Sequence, residues 1–316
     1  MPARVVLLAG GVGGAKLASG MAAQPDPDLT VVVNTADDTD MQGLLVMPDH
    51  DTVMYTLAGI VDRDQGWGVG EETYTTLEAL GRLGEETWFR LGDRDLATHI
   101  ARTARLRAGR RLTEVCLELQ RSLGVATPIL PMTDDPVRTH VRTADGWLAF
   151  QDWFVRLRQR PAVSEIRFDG IEAARPTAEV LAALEAAEVV VIAPSNPLVS
   201  IGPILAVPGL RAAIETAGAR GAPIVAVSPI VAGKALRGPA DRMLADLGLE
   251  STARGVARLY AGLAGGFVLD SADADQEADV EAMGLATLVI DTIMVDDTTR
   301  RRLAADVLAF AASMAM

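Results

Sequence analysis

Four short apolar runs, each ending in a turn of small or polar residues, constrain this chain most. They are VVLLAGGVGG (5–14), LTVVVNTADD (29–38), EVVVIAPSNP (188–197) and PIVAVSPIVAGK (223–234). A strand wet on one face alternates apolar with polar, whereas near-continuous runs are what parallel strands covered on both faces require. Helical patterning recurs between and after them, at 15–23, 52–61, 71–82, 177–187, 239–247 and 298–312. Strands alternating with helices predict an α/β fold, a Rossmann-like, doubly wound and mostly parallel sheet. Ligands in such sheets bind beyond the carboxyl ends of the strands, where all four turns would fall.

The middle of the chain follows another plan. TYTTLEALGRLG, LATHIARTARLRAG and LTEVCLELQRSLG read as successive amphipathic helices, and THVRTADGWLAFQ as alternating short strands. The expected division is a Rossmann-like nucleotide-binding core, 1–70 and 161–316, with an inserted helical and antiparallel cap, 71–160, for substrate. The late segment DADADQEADVEAMG predicts a surface helix.

Composition narrows the partners. With 316 residues, 49% of them hydrophobic, the chain can bury a sizeable core. Asp and Glu outnumber Lys and Arg by 42 to 29, a net charge of -13 that argues against a nucleic-acid binder. An anionic nucleotide must then be held by local devices. The single cysteine, Cys116, sits at an apolar helical position and reads as core. MPARVVLLAG reads as a buried strand rather than a signal peptide, and no apolar run reaches membrane-spanning length, so a cytoplasmic location is expected.

The turn Gly10-Gly11-Val12-Gly13-Gly14, followed by Lys16, joins the first strand to a helix, where backbone amides and the helix dipole can cradle an anion. It is no Walker A loop, because Leu17 follows Lys16, and Lys16 also occupies the third glycine position of GxGxxG. The second strand ends in Asn34 rather than the acid that would hold an NAD ribose, which disfavours a hydride-transferring dehydrogenase. Only two lysines occur, Lys16 and Lys234, each after a glycine-rich turn; a compact ammonium suits phosphate, though codon bias accounts for the rarity equally well.

Acidic residues recur as Asp37-Asp38, Asp49 with Asp51, Asp93 with Asp95, and Asp134-Asp135. One or two carboxylates beside a phosphate site suit Mg²⁺, but aspartate is equally a helix cap and turn residue. Ser195-Asn196-Pro197 offers a hydroxyl and an amide to a nucleotide, or forms a plain turn. Arg90, Arg94, Trp67, Trp88 and Trp153 could supply cations and stacking faces for a planar ring, with core packing the plainer reading of the tryptophans. His50, His99 and His140 show no zinc spacing, and His99 lies one helical turn after Asp95.

Read in order, LAGGVGGAKLASG, VVVNTADD, PDHDTVMYTLAGIVD, WFRLGDRDLATHI, LPMTDDPVRTHV, FQDWFV, APSNPLVSIGPIL and VSPIVAGKALRGPA closely resemble the 2-phospho-L-lactate transferase family of coenzyme F-420 biosynthesis, whose bacterial members are also called phosphoenolpyruvate transferases. The likeness covers residues from about 4 to about 262. It implies a homodimer and a donor that is lactyl- or enolpyruvyl-diphospho-5'-guanosine. The acceptor it implies is the deazaflavin Fo (7,8-didemethyl-8-hydroxy-5-deazariboflavin), with GMP released. Carried over, the Fo site falls on Asp51 and Arg90, and donor contacts on Gly10 to Gly14 and Ser195-Asn196. Lys16 stands where some relatives carry arginine.

The mechanism expected on that basis puts Mg²⁺ on Asp37 and Asp38, with the glycine amides and Lys16 neutralising the diphosphate. Asp51 would orient the acceptor hydroxyl and take its proton. The alternative is a nucleotide-sugar-binding regulator of the same superfamily, resembling the gluconeogenesis factors; the segments PDHDTVMYTL and LGDRDLATHI separate the two.

Overall fold

The computed structural model describes residues 3–25 and 28–315. At its centre is a parallel sheet of β1 (Arg4–Ala9), β2 (Asp28–Val33), β3 (Ile129–Pro131), β4 (Val189–Ile192), β5 (Ile224–Val227), β6 (Gly266–Asp270) and β7 (Ala286–Ile290). These seven strands lie in the order β7-β6-β5-β4-β1-β2-β3. β1 and β4 pair from Val5 opposite Val189 to Leu8 opposite Ile192. The strand order reverses there, and a crevice opens at such a switch point.

Successive side chains of a strand point to opposite faces. Val6, Leu8, Val32, Val190 and Ile192 accordingly enter one core, and Val5, Leu7, Val31, Val33, Val189 and Val191 the other. Both faces are dry, which is why the runs do not alternate. Each fully buried aliphatic side chain contributes about 1.5–3 kcal/mol relative to exposure. The four apolar runs are β1, β2, β4 and β5. The other three strands stand out less: β3 has three residues ending in Pro131, β6 follows a glycine-rich stretch, and the edge strand β7 is mostly half-buried.

Helix α1 (Gly11–Ala22) returns from β1 to β2, turns Ala15, Leu17, Ala18 and Met21 inward, and packs on α2 (Pro48–Leu57) and on the closing helix Asp297–Met314. Between β2 and β3 the chain makes a long excursion, residues 34–128. It forms an antiparallel pair, Thr39–Met41 with Leu44–Val46, and then α2, α3 (Thr75–Arg82), α4 (Asp93–Arg107) and α5 (Leu112–Ser122). Buried Leu112, Val115, Cys116 and Leu119 give α5 the inward stripe its spacing predicts.

The expected insertion, 71–160, does not coincide with this excursion, which starts directly after β2. Ile129–Pro131, inside 71–160, belongs to the main sheet, where Ile129 and Leu130 are buried beside Val31 and Val32. A three-stranded antiparallel sheet follows, with Arg138–Thr143 between Gly146–Ala149 and Glu165–Asp169. The segment predicted as a surface helix forms a 3-10 turn, Ser271–Gln276, and a short helix, Glu277–Glu281. Among the described residues no helix is long and apolar enough to cross a membrane.

Candidate active site

A cavity of about 900 Å³ opens beyond the carboxyl ends of the strands, with walls drawn from Gly10 through to Val295. At one end β1 breaks into the glycine turn. Gly11 sits at φ +59, and a Cβ on Gly13 would collide with the Pro194 carbonyl oxygen, so side chains are refused at both positions. The first amide of α1 already holds an anion from within the chain. The Gly11 N–H donates to Asp49 Oδ1 at 2.7 Å, and Asn34 Nδ2 donates to Asp49 Oδ2 at 3.0 Å and to the Val199 carbonyl at 3.1 Å.

Gly10, Gly11, Gly13, Lys16, Ser195 and Asn196 all line this end, while Gly14 packs behind it against Ser195 and Ala9. Ser195 Oγ accepts from the Gly10 N–H at 3.1 Å and donates to the Gly10 carbonyl at 2.8 Å. Asn196 Oδ1 accepts from the Leu198 N–H at 2.9 Å. Those polar atoms hold the turns together, so the plain-turn reading describes what they do here.

Lys16 Nζ donates to the Met294 carbonyl at 2.8 Å. Burial, with Arg300 and Arg237 nearby, lowers its pKa. Arg237 and Arg63 join Lys16 in the wall. The other lysine does not: Lys234 is 80% exposed, 3.6 Å from Asp241. Arg94 also lies outside the lining and donates to the Gly70 carbonyl at 3.1 Å.

The aspartates divide into three groups. Asp37 and Asp38 are buried, and each has an oxygen without a hydrogen-bond partner among the described residues. Burial pushes both carboxyls well above their usual range, and Asp49 raises Asp37 further. Asp49 is itself raised to about 6 by burial, against the lowering effect of its bonds from Asn34 and Gly11. Asp37 and Asp49 line the cavity, with Asp38 behind them.

Asp51 behaves oppositely. Burial alone would raise it, but the Arg102 guanidinium together with His50 and His99 outweighs that and holds it well below the usual carboxylate range. Arg102 is fully buried and donates through Nη1 to Asp51 Oδ2 at 3.0 Å, through Nη2 to Asp51 Oδ1, and through Nη1 to the Leu45 carbonyl at 3.2 Å. Helical spacing makes this junction. Asp51 and Tyr55 share one face of α2; Asp95, His99 and Arg102 share one face of α4. Tyr55 donates its hydroxyl to Asp95 Oδ1 at 2.7 Å, and His99 Nε2 lies 3.1 Å from the same oxygen.

Asp51, Asp95 and His99 bring ligand-type atoms within 4.8 Å of one another. Arg102 already provides the cation there, and its Nη1 faces His99 Nδ1 at 3.2 Å, so the set does not fit a metal ion. The third group caps turns: Asp93 accepts from Thr73, Thr75 and Thr76, Asp134 from Thr113, and Asp135 from Arg175.

The wall also carries aromatic side chains, Trp67, Trp88, Phe89, Phe150 and Phe154, together with Arg90. Phe150 and Phe154 stack at 5.4 Å, and the Arg90 guanidinium lies 4.3 Å over the Tyr74 ring. Trp153 is core and donates its indole N–H to the Pro161 carbonyl at 2.8 Å. Asp95 stood out only as one of the paired acids and His99 only as its helix-face neighbour, while Tyr55, Arg102, Arg63 and Arg237 carried no expected role; all six but Arg102 are in the cavity wall. The spacing of Asp95, His99 and Arg102 on one helix face was the available signal for three of them.

A glycine turn, buried carboxylates and a cationic wall meet at the switch point of a Rossmann-like α/β protein, where ligands of this fold class bind. The chain belongs to the 2-phospho-L-lactate transferase CofD family, whose sequence model matches residues 5–308, and is a transferase of that family. The match takes in β6 and β7, past the motifs that carried the resemblance.

It is 46% identical over 300 residues to a phosphoenolpyruvate transferase of Streptomyces griseus, covering 93% of both chains. A phosphoenolpyruvate transferase of Streptomyces coelicolor is 44% identical over 315 residues, 98% of both chains. One from Mycobacterium avium is 41% identical over 322 aligned residues, covering 93% of this chain and 94% of that one. Among solved structures, a UPF0052 family protein from Bacillus halodurans superposes with a TM-score of 0.63 at 16% identity, covering 98% of this chain and 99% of that one; it shares the fold.

Proposed function

We propose that this chain transfers a phosphoenolpyruvyl group from enolpyruvyl-diphospho-5'-guanosine to the terminal ribityl hydroxyl of Fo, releasing GMP, as a step of coenzyme F-420 biosynthesis. The observation that carries the reading is one cavity whose wall combines the glycine turn Gly10–Gly13 with the aromatic side chains Trp67, Trp88 and Phe89. A donor diphosphate and a tricyclic acceptor need that pairing. The names of the relatives favour enolpyruvyl over lactyl as the three-carbon group.

Asp37 fits a divalent cation best, with Asp49 beside it, because among the described residues no protein cation acts on either carboxyl and Asp37 keeps a buried oxygen without a partner; Asp38, behind them, lies near Arg138 and Arg102. Mg²⁺ bound there would supply charge neutralisation at the transferring phosphorus. Lys16 and Arg237, in the cavity wall, would face the diphosphate. Trp88, Phe89 and Arg90 hold the acceptor ring. Phosphoryl transfer gains most from such positioning and charge stabilisation. Asp51 is pinned through both oxygens by Arg102, so it positions the acceptor side of the cavity and is a poor proton acceptor.

The test is to incubate the protein with Fo, Mg²⁺ and each of the enolpyruvyl, lactyl and glyceryl donors, and identify products by mass spectrometry. Phosphoenolpyruvyl-Fo with GMP is expected. Unchanged Fo with every donor would refute the reading.

A further inference from the structure

We infer that Asp95 is the proton acceptor for the attacking hydroxyl, an assignment that rests on the transfer reaction proposed above. A hydroxyl attacking phosphorus must release its proton, and a general base has to face the cavity with a free lone pair. Asp51 fails that requirement, since Arg102 occupies both its oxygens. His99 is less accessible: its side chain is 1% exposed against 13% for Asp95, its Nδ1 faces an Arg102 N–H at 3.2 Å, and its Nε2, 3.1 Å from Asp95 Oδ1, makes no hydrogen bond among the described residues.

Asp95 meets the requirement. Its side chain is 13% exposed and in the cavity wall. Oδ1 is fixed by the Tyr55 hydroxyl at 2.7 Å and lies 3.1 Å from His99 Nε2. Oδ2 accepts no hydrogen bond from any described residue. The backbone N–H of Asp95 donates to Glu72 Oε1 at 2.7 Å, which fixes the first turn of α4. Tyr55 is thus the positioning residue, and Asp95 is the group it aims.

In the step itself, the ribityl oxygen forms a bond to the phosphorus that bears the three-carbon acid. The bond from that phosphorus to the bridging oxygen breaks, and GMP leaves with the electron pair. The hydroxyl proton passes to Asp95 Oδ2 and then to solvent, so atoms and charge balance with no further reactant.

Asp95→Asn is the first test. The amide oxygen can still receive Tyr55 and leaves an N–H donor facing the cavity, so the fold is retained and the base is lost. A fall in kcat of about 100- to 10,000-fold is expected, with KM for Fo and donor within a few-fold of wild type. Asp95→Ala supplies a readout that a structural role would not move: added formate should restore part of its turnover by replacing the missing carboxylate.

Near-normal kcat in Asp95→Asn would overturn the assignment. Should Asp95→Asn misfold, formate decides alone: recovery in Asp95→Ala supports the base, and no recovery overturns it. Wild-type protein that makes no phospho-acylated Fo would instead count against the proposed function, which keeps the two failures apart.

Discussion

Two groups of buried aspartates lie in and behind the wall of one cavity, and the protein treats them in opposite ways. Around Asp37, Asp38 and Asp49 burial dominates, and the carboxyls are pushed toward their neutral forms. Around Asp51 burial is as strong, but a fully buried arginine with His50 and His99 beside it outweighs burial, and the carboxylate stays charged. Isolated buried charge is costly and is ordinarily paired or neutralised. The difference is one of counter-charge: Arg102 sits on Asp51, whereas among the described residues no protein cation acts on Asp37 or Asp49, and under the proposed function a cation from outside would take that place. Residue type and burial are the same in both.

Breaking the first group should have the largest effect. Asp37→Asn removes the acid that opens on the cavity and should cost several kcal/mol of transition-state stabilisation, measured as kcat/KM at saturating Mg²⁺, with the fold intact by circular dichroism. Asp38→Asn should cost less, because Asp38 lies behind the lining. Equal effects would erase that distinction.

Breaking the second group should instead appear in stability. Arg102→Met strands Asp51 without a partner and should destabilise the fold by about 3–5 kcal/mol in urea denaturation. A loss under 1 kcal/mol would mean that Asp51 simply takes up a proton when the guanidinium goes.

A pH titration sharpens the contrast at a smaller scale. Asp49 is raised from 3.8 to about 6, so the folded state holds its proton more tightly than the unfolded chain does. Its stabilising contribution is fully present below pH 3.8 and is lost as pH rises through about 6, an effect of about 3 kcal/mol in metal-free protein. Asp37 acts in the same direction. Asp51 has the opposite sign: its contribution is present above the ordinary carboxylate value and is lost as pH falls below it. Urea midpoints of wild type and Asp49→Asn, measured with a chelator from pH 4 to 7.5, should converge at low pH and separate as pH rises, the variant becoming the more stable. Parallel curves would contradict the assignment.

Much of this architecture is legible in the amino-acid order because both faces of the sheet are dry. The runs at β1, β2, β4 and β5 declare themselves, and so does the turn at Gly10–Gly14. β3 is not legible, since three residues ending in proline resemble many loops, and its strand character comes from β2 beside it. The site divides in the same way. Asp37 and Asp51 stand out as acids after a strand and in a motif, but Arg102 gains meaning only when α4 lies across α2 and its face meets Asp51 and Tyr55. Lys234 shows the converse: rarity and a preceding glycine singled it out, and tertiary packing left it in solvent.

The bond from Lys16 to the Met294 carbonyl joins residues 278 positions apart. A ribosome delivers the chain from its amino end, so the glycine turn and the first helix emerge long before the segment that completes their wall. Intermediate lengths can pair β1 with β2, yet lack β4, the other neighbour of β1, and the residues that complete the wall around Lys16. The closing helix packs on α1 and buries Leu303, Ala304, Val307 and Ala311 in the core beside it, so the packing of the first helix and the wall around Lys16 are completed together.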